Sequence, residues 1–300
     1  MFAEFEGSFM NKINSLNLLK RLIAFALAIV ILSGSGITAS AREPSYTCKK
    51  TKSNVLKLLD AYDPDGAYIV RSDSTNGVMS WLWDKNYLAD GMDTAVHETF
   101  HAISVGALGD NMYIGSRKFV YVPRTRVFYS RSCSGKIPAR LRTFRYKTYM
   151  TDNVATNMHS DINGPYGMLN EMSAYCWGMN NSIKLYPYFK KNNSLSPFYS
   201  SCSNNKNAYA EFTYYILFYL EYARTNDRGV YNGIMKNSRF RKVYRNTDKR
   251  FKTNIKKYDR IAKSDKYSAY YPKADENDYK ILMKEISKNK YQKIYNQLLR

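Results

Sequence analysis

Two histidines stand four residues apart in His97-Glu98-Thr99-Phe100-His101, and a glutamate lies between them. Residues four apart share one face of a helix, so both imidazoles can reach a single metal ion while Glu98 stands beside its open coordination position. Zinc suits such donors: three protein ligands leave a fourth, tetrahedral position for a water whose pKa falls to about 7. Glu98 is then placed to take that water's proton as hydroxide attacks a carbonyl, and to pass it to a leaving amine. The chain has only three histidines, and two of them fall within this five-residue stretch.

A catalytic zinc needs a third protein ligand. The metzincin pattern is excluded, because it requires glycine at position 104 and histidine at position 107, where this chain has Ser104 and Ala107. Farther on, Leu169-Asn170-Glu171-Met172-Ser173-Ala174-Tyr175 resembles the NExxS segment of thermolysin-like gluzincins, with the serine one place earlier. The resemblance covers the HExxH stretch and this short segment only. It implies that His97, His101 and Glu171 are metal ligands, that Glu98 is the base, and that the fold is zincin-like, a small sheet and an active-site helix joined to a mainly helical second part. Where that family carries an aspartate four residues after the ligand glutamate, this chain has Tyr175, so Asp93 or Asp161 is expected to support a zinc-bound imidazole. Glu211 and Asp161 compete with Glu171 as the third ligand, and His159 is a further conceivable one. As donors to the oxyanion of a peptide substrate, His159 and Tyr166 are the nearest candidates before Glu171.

The elements that must hold these residues can be read coarsely. Lys52–Tyr62 has apolar residues at helical spacing, Asp63-Pro64-Asp65-Gly66 reads as a turn, and Ala67–Arg71 as a short strand. Met79–Trp83 is an aromatic stretch of either strand or loop. After Gly91, Asp93 is placed to cap a helix that runs to about Val105 and stops at Gly106. Lys118–Pro123 and Arg126–Arg131 read as a hairpin across Arg124-Thr125. Thr151–Gly167 reads as loop and Leu169–Trp177 as helix; a polar segment, Asn192–Lys206, leads into a long helix from about Ala208 to Arg224. Glu276–Leu299 carries a rough apolar stripe of helical period. These elements are compatible with the α+β class that the zincin resemblance implies.

Length and 44% apolar content allow a substantial core. Lys20 and Arg21 precede the apolar run Leu22–Leu32, then Ser33-Gly34-Ser35-Gly36 and Ala39-Ser40-Ala41, the order of a secretory leader cleaved after Ala41. The apolar run is short of the roughly 20 residues that a stable span needs, although an uncleaved leader would act as an anchor. The organisation expected is a leader over 1–41, a zincin-like catalytic domain over 42–225 and a basic helical region over 226–300. Export would permit disulfides among Cys48, Cys133, Cys176 and Cys202, yet four buried thiols would serve equally well, and no CxxC spacing suggests a cysteine zinc site.

The formal charge is +21. From Glu221 to Arg300, 22 Lys and Arg stand against 9 Asp and Glu, a field that draws in anionic surfaces such as wall polymer or lipid headgroups. Nucleic acid is disfavoured as a partner, because the 28 tyrosines fit aromatic packing better than base stacking. The leading functional reading is a secreted, monomeric zinc metallopeptidase acting on peptide or protein substrates. The second is a non-catalytic protein on a zincin scaffold that binds an anionic surface, wall polymer or nucleic acid, through its basic region.

Overall fold

A computed structural model describes residues 43–73, 87–151 and 158–300. The expected leader and the Met79–Trp83 stretch lie outside them. Helices dominate. In chain order they are α1 (Lys52–Tyr62), α2 (Pro64–Ser72), α3 (Met92–Ser104), α4 (Arg131–Ser134), α5 (Tyr146–Met150), α6 (His159–Ile162), α7 (Pro165–Lys191), α8 (Ser196–Asn226), α9 (Arg228–Lys236), α10 (Ser238–Ser264), α11 (Glu276–Ile286) and α12 (Asn289–Leu298). Between α3 and α4 an antiparallel pair, β1 (Gly109–Gly115) and β2 (Lys118–Pro123), forms a two-stranded sheet. The coarse α+β expectation is met by mostly helical structure with this small sheet.

The long helices α7 and α8 pack against each other at the centre. Their buried positions run nearly all the way round, from Pro165 to Ile183 in α7 and from Asn205 to Leu220 in α8. A helix apolar on one stripe needs one neighbour, whereas one buried all round must be wrapped. The wrapping comes from α3 and α10 on α7, and from α9, α11 and α12 on α8. In α10, Phe240, Val243, Tyr244, Thr247, Phe251, Ile255 and Tyr258 recur at steps of three and four and are buried, leaving a basic outer face. Pro44–Arg300 thus folds as one compact unit. Among the described residues no helix is long and apolar enough to cross a membrane.

Several elements differ from the sequence reading. Ala67–Arg71 is helix, not strand: Pro64 occupies the first turn of α2, where its missing N–H costs nothing, and Ile69 and Val70 are buried against neighbours. The hairpin pairs β2 with the preceding strand, because the chain reverses at Ser116 and Arg117, both with positive φ (52° and 58°), and Arg126–Ser130 is not strand. Asp93 is not the cap of α3. Gly91, left-handed at φ 70°, precedes the first helical residue, and Asp93 accepts a hydrogen bond from Ser201 Oγ at 2.6 Å instead.

The expected loop at Thr151–Gly167 contains α6 and the start of α7, which Pro165 opens. The polar segment Asn192–Lys206 is mostly the first part of α8, its Ser and Asn side chains engaged locally. Glu276–Leu299 is two helices, broken at Ser287-Lys288. All four cysteines are free thiols, three of them buried.

Candidate metal centre

Val96 and Phe100 fix α3 in the core, and His97 and His101 come one turn apart on the flank that faces α7. The helices approach closely where Gly178 of α7 meets the backbone of Asp93. A Cβ there would lie 3.1 Å from the Asp93 carbonyl oxygen, so a glycine suits the contact. About two turns before Gly178, Glu171 projects from α7 toward the two histidines.

His97 Nε2 and His101 Nε2 are 3.1 Å apart. Glu171 Oε2 lies 3.3 Å from His101 Nε2 and 3.8 Å from His97 Nε2. Two donors at tetrahedral positions about 2.0–2.1 Å from one zinc are about 3.3 Å apart, so the triangle has the dimensions that a single ion requires. Glu171 is 6% exposed and His97 8%. Glu171 Oε2 is buried without a well-aligned hydrogen bond, an arrangement that is costly for a carboxylate and that a divalent cation would relieve. The described residues contain this one cluster of three metal-binding side chains.

The neighbouring residue in α7 sets the tautomer. Asn170 Nδ2 donates to Asp110 Oδ2 at 3.2 Å and to Ser104 Oγ at 3.1 Å, which directs Oδ1 to His101 Nδ1 at 2.6 Å. His101 Nδ1 must therefore carry a proton, so that in the neutral ring the lone pair a metal would take is on Nε2, the nitrogen beside Glu171. Asp110, at the start of β1, is held in turn by Arg124 at 2.8 Å and by His159 Nε2 at 3.0 Å. His159 Nδ1 faces Asn163 Nδ2 at 2.9 Å. Both nitrogens of His159 are thus engaged, and it is linked to His101 through Asp110 and Asn170 rather than joining the triad.

His97 is braced from another side. The Tyr175 ring meets it edge-on with centroids 4.3 Å apart, the Tyr175 hydroxyl lies 3.1 Å from that of Tyr149, and the Arg145 guanidinium sits 4.6 Å over the Tyr175 ring. Arg145 is anchored by Glu211, which accepts from its Nη1 at 2.6 Å, from its backbone N–H at 2.9 Å and from Thr143 at 2.7 Å. Glu211 is wholly buried in that network and does not compete for the metal site. Asp161 is likewise engaged elsewhere, accepting from the Arg131 backbone and side chain. Tyr166 is buried, with its hydroxyl against Thr125 Oγ1 and Asn237 Nδ2, so it is a packing residue and not an oxyanion donor.

A cleft lined by Asp93, Thr94, His97, Glu98, Tyr175, Asn204 and Asn205 opens the site to solvent. Glu98 Oε1 lies 3.9 Å from His97 Nε2, with 39% of its side chain exposed. Its pKa is raised by burial and by the Glu171 charge, against the pull of His101. Burial holds His97 down to about 3, with the neighbouring His101 adding to the effect. Burial would lower His101 as well, but the charge and contact of Glu171 outweigh it and raise it to about 9. Glu171 is correspondingly lowered: burial opposes its ionisation, and the two histidines overcome that opposition.

Of the side chains around the triad, Asn170 was visible as the Asn-Glu pair. Asp110 and Tyr149 carried no local signal, because they reach the site through tertiary contacts. Comparison with protein-family models, curated proteins and solved structures finds no match to this chain.

Proposed function

We propose that this chain is an exported zinc metallopeptidase of gluzincin type, in which His97, His101 and Glu171 hold one Zn2+ and Glu98 is the general base. The observation that carries the reading is the triangle of Nε2, Nε2 and Oε2 atoms at zinc-ligand spacing, centred on a buried carboxylate oxygen without a well-aligned partner. Bound zinc supplies Lewis acidity, lowering the pKa of a coordinated water to about 7 and polarising a carbonyl.

The chain's own groups supply the rest. Glu98 stands at the mouth of the cleft, half-exposed and beside the triad, with its pKa raised by burial, which makes its carboxylate a stronger proton acceptor. It takes a proton from water and delivers it to the departing amine nitrogen. Asn170 keeps His101 in the tautomer whose Nε2 is free to ligate, and Tyr175 keeps the His97 ring from turning. Tyr175 also lines the cleft, next to the Tyr149 hydroxyl, which makes this pair a better source of a substrate hydrogen bond than Tyr166.

The test pairs metal content with turnover. Protein expressed from residue 42 onward should hold about one zinc per chain and cleave an unstructured protein such as casein. Glu98→Gln should keep the zinc and lower cleavage by about a hundredfold to ten-thousandfold. His101→Ala and Glu171→Ala should lose both. Full cleavage by Glu98→Gln, or zinc binding unchanged by Glu171→Ala, would overturn the assignment.

A further inference from the structure

Away from the metal centre, α10 presents a second stripe of its surface to a cleft. Asn246, Lys249, Arg250, Thr253, Asn254 and Lys257 recur at alternating steps of three and one, so they line one side of the helix. Across from them stand Asn180 and Lys184, one turn apart on α7, and Asp65 of α2. The cleft measures about 380 Å3. Four cationic side chains thus converge on it against one carboxylate. Asp65 Oδ1 already accepts from the Tyr113 hydroxyl and from the Ser116 backbone N–H, at 3.0 Å for the latter.

The three lysines are without an ion pair. Among the described residues Lys184, Lys249 and Lys257 are exposed and make no ion pair, unlike Lys252 on the adjacent face, which pairs with Asp248 at 3.1 Å. Arg250 is positioned rather than free: its guanidinium lies 4.0 Å over the Trp177 ring and Nη2 donates to the Ile114 carbonyl at 3.1 Å, while its buried Nε has no partner. A second buried donor lies at the same place. Asn254 lines the cleft at 2% exposure, and its Nδ2 has no hydrogen-bond acceptor among the described residues. An unsatisfied buried amide donor is costly unless a ligand supplies an oxygen. A solvated basic face explains exposed lysines, but not two buried donors without acceptors on residues that line a pocket.

We infer that this cleft between α7 and α10 is a binding site for a phosphate group, held by Lys184, Lys249, Lys257 and the Asn254 amide, with Arg250 fixed behind them. Tetrahedral oxyanions match several converging N–H donors, and the flanking positive field of α10, eleven Lys and Arg against Asp248 and Asp259, raises their local concentration. The phosphate is either a small soluble one or a lipid headgroup. The site is separate from the triad and does not depend on the zinc reading.

The test is calorimetric titration of the folded chain with inorganic phosphate and pyrophosphate, together with flotation on vesicles of phosphatidylglycerol or of phosphatidylcholine. Lys249→Gln with Lys257→Gln should weaken the interaction about tenfold or more, because two charge-assisted contacts are removed. Lys256→Gln with Lys263→Gln removes the same charge from another part of the exposed surface of α10 and should weaken it less than threefold. Asn254→Leu should weaken binding without lowering the melting temperature; if that variant misfolds, the two exposed pairs decide. Saturable phosphate binding without vesicle binding identifies a soluble ligand. Phosphatidylglycerol binding lost with the Lys249 and Lys257 pair identifies a headgroup. Equal weakening by both pairs, or no binding of any of these probes, overturns the site.

Discussion

At the scale of single residues the candidate centre separates its two histidines electrostatically. His97, held down to about 3 by burial, is neutral at every ordinary pH, whereas His101, raised to about 9 by Glu171, carries a proton when no metal is present. Metal binding must remove that proton, while Glu171, lowered by the histidines, releases none. Zinc affinity should therefore tighten about tenfold per pH unit between pH 6.5 and 8.5, with one proton released, as competition with a calibrated chelator would show. The stability of zinc-free protein has the opposite sign. Its His101–Glu171 attraction is fully present below pH 6.5, the unfolded value of the histidine, and fades as pH rises through 9. A pH-independent zinc affinity over this window would contradict the charge assignment. Asn170 gives a second measure: Asn170→Ala frees the His101 ring and orphans part of Asp110, and should cost about tenfold to a hundredfold in zinc affinity. Asn170→Asp, which keeps an oxygen toward Nδ1, should retain more affinity than alanine.

At the scale of elements the centre is a matter of how two helices and a strand are brought together. The paired histidines of α3 were legible because a strongly patterned helix puts residues 97 and 101 on one face whatever surrounds it. Glu171 was legible through its segment, and the discarded competitors were separable only in three dimensions, where Glu211 proves to be consumed by Arg145. The failures have physical causes. Ile69 and Val70 are β-branched, yet their burial against tertiary neighbours outweighs the small helix penalty they carry. The β1–β2 turn was misplaced because Ser116 and Arg117 adopt positive φ without the Asn-Gly or Gly-Gly signature that advertises such a turn. That mismatch predicts a gain: Ser116→Asn with Arg117→Gly should stabilise the hairpin by about 0.5–1 kcal/mol in denaturant melts, less whatever Arg117 contributes over the Tyr68 ring. A loss in stability would mean that the arginine contact outweighs the turn. The opposite case is Gly167, in the first turn of α7. A Cβ there would stand 2.1 Å from the His159 carbonyl oxygen of α6, a backbone atom that cannot swing aside. Gly167→Ala should cost about 1–3 kcal/mol and displace His159 from Asp110, loosening the support of Asn170 as it does so.

At the scale of the whole molecule the question is whether a metal held by the triad would make the fold or merely use it. The buried cluster runs from Val55 to Leu298 and is built on α7 and α8, with Tyr209 and Tyr295 donating to the buried Asp248 at 2.9 and 2.7 Å at a place where no metal ligand stands. Small zinc modules unfold without their ion because they have little else. Here the core spans almost the entire described chain, and the triad sits at one edge of it, between α3 and α7, open to a cleft. Zinc-free protein should therefore keep its helical circular dichroism and melt cooperatively. Zinc should nevertheless raise the melting temperature, because an ion that binds only the folded chain stabilises it by mass action. At a free concentration a hundred times the dissociation constant this amounts to about 2.7 kcal/mol, or about 5–10 °C for a chain of this size. Glu171→Ala should abolish the zinc-dependent increment, and near neutral pH the zinc-free melt should fall as well, since the variant removes the His101–Glu171 attraction. Glu98→Gln should keep the increment in full, since Glu98 is not one of the three grouped donors. Loss of helical signal on zinc removal would make the ion structural, and an increment that survives Glu171→Ala would place the ion elsewhere.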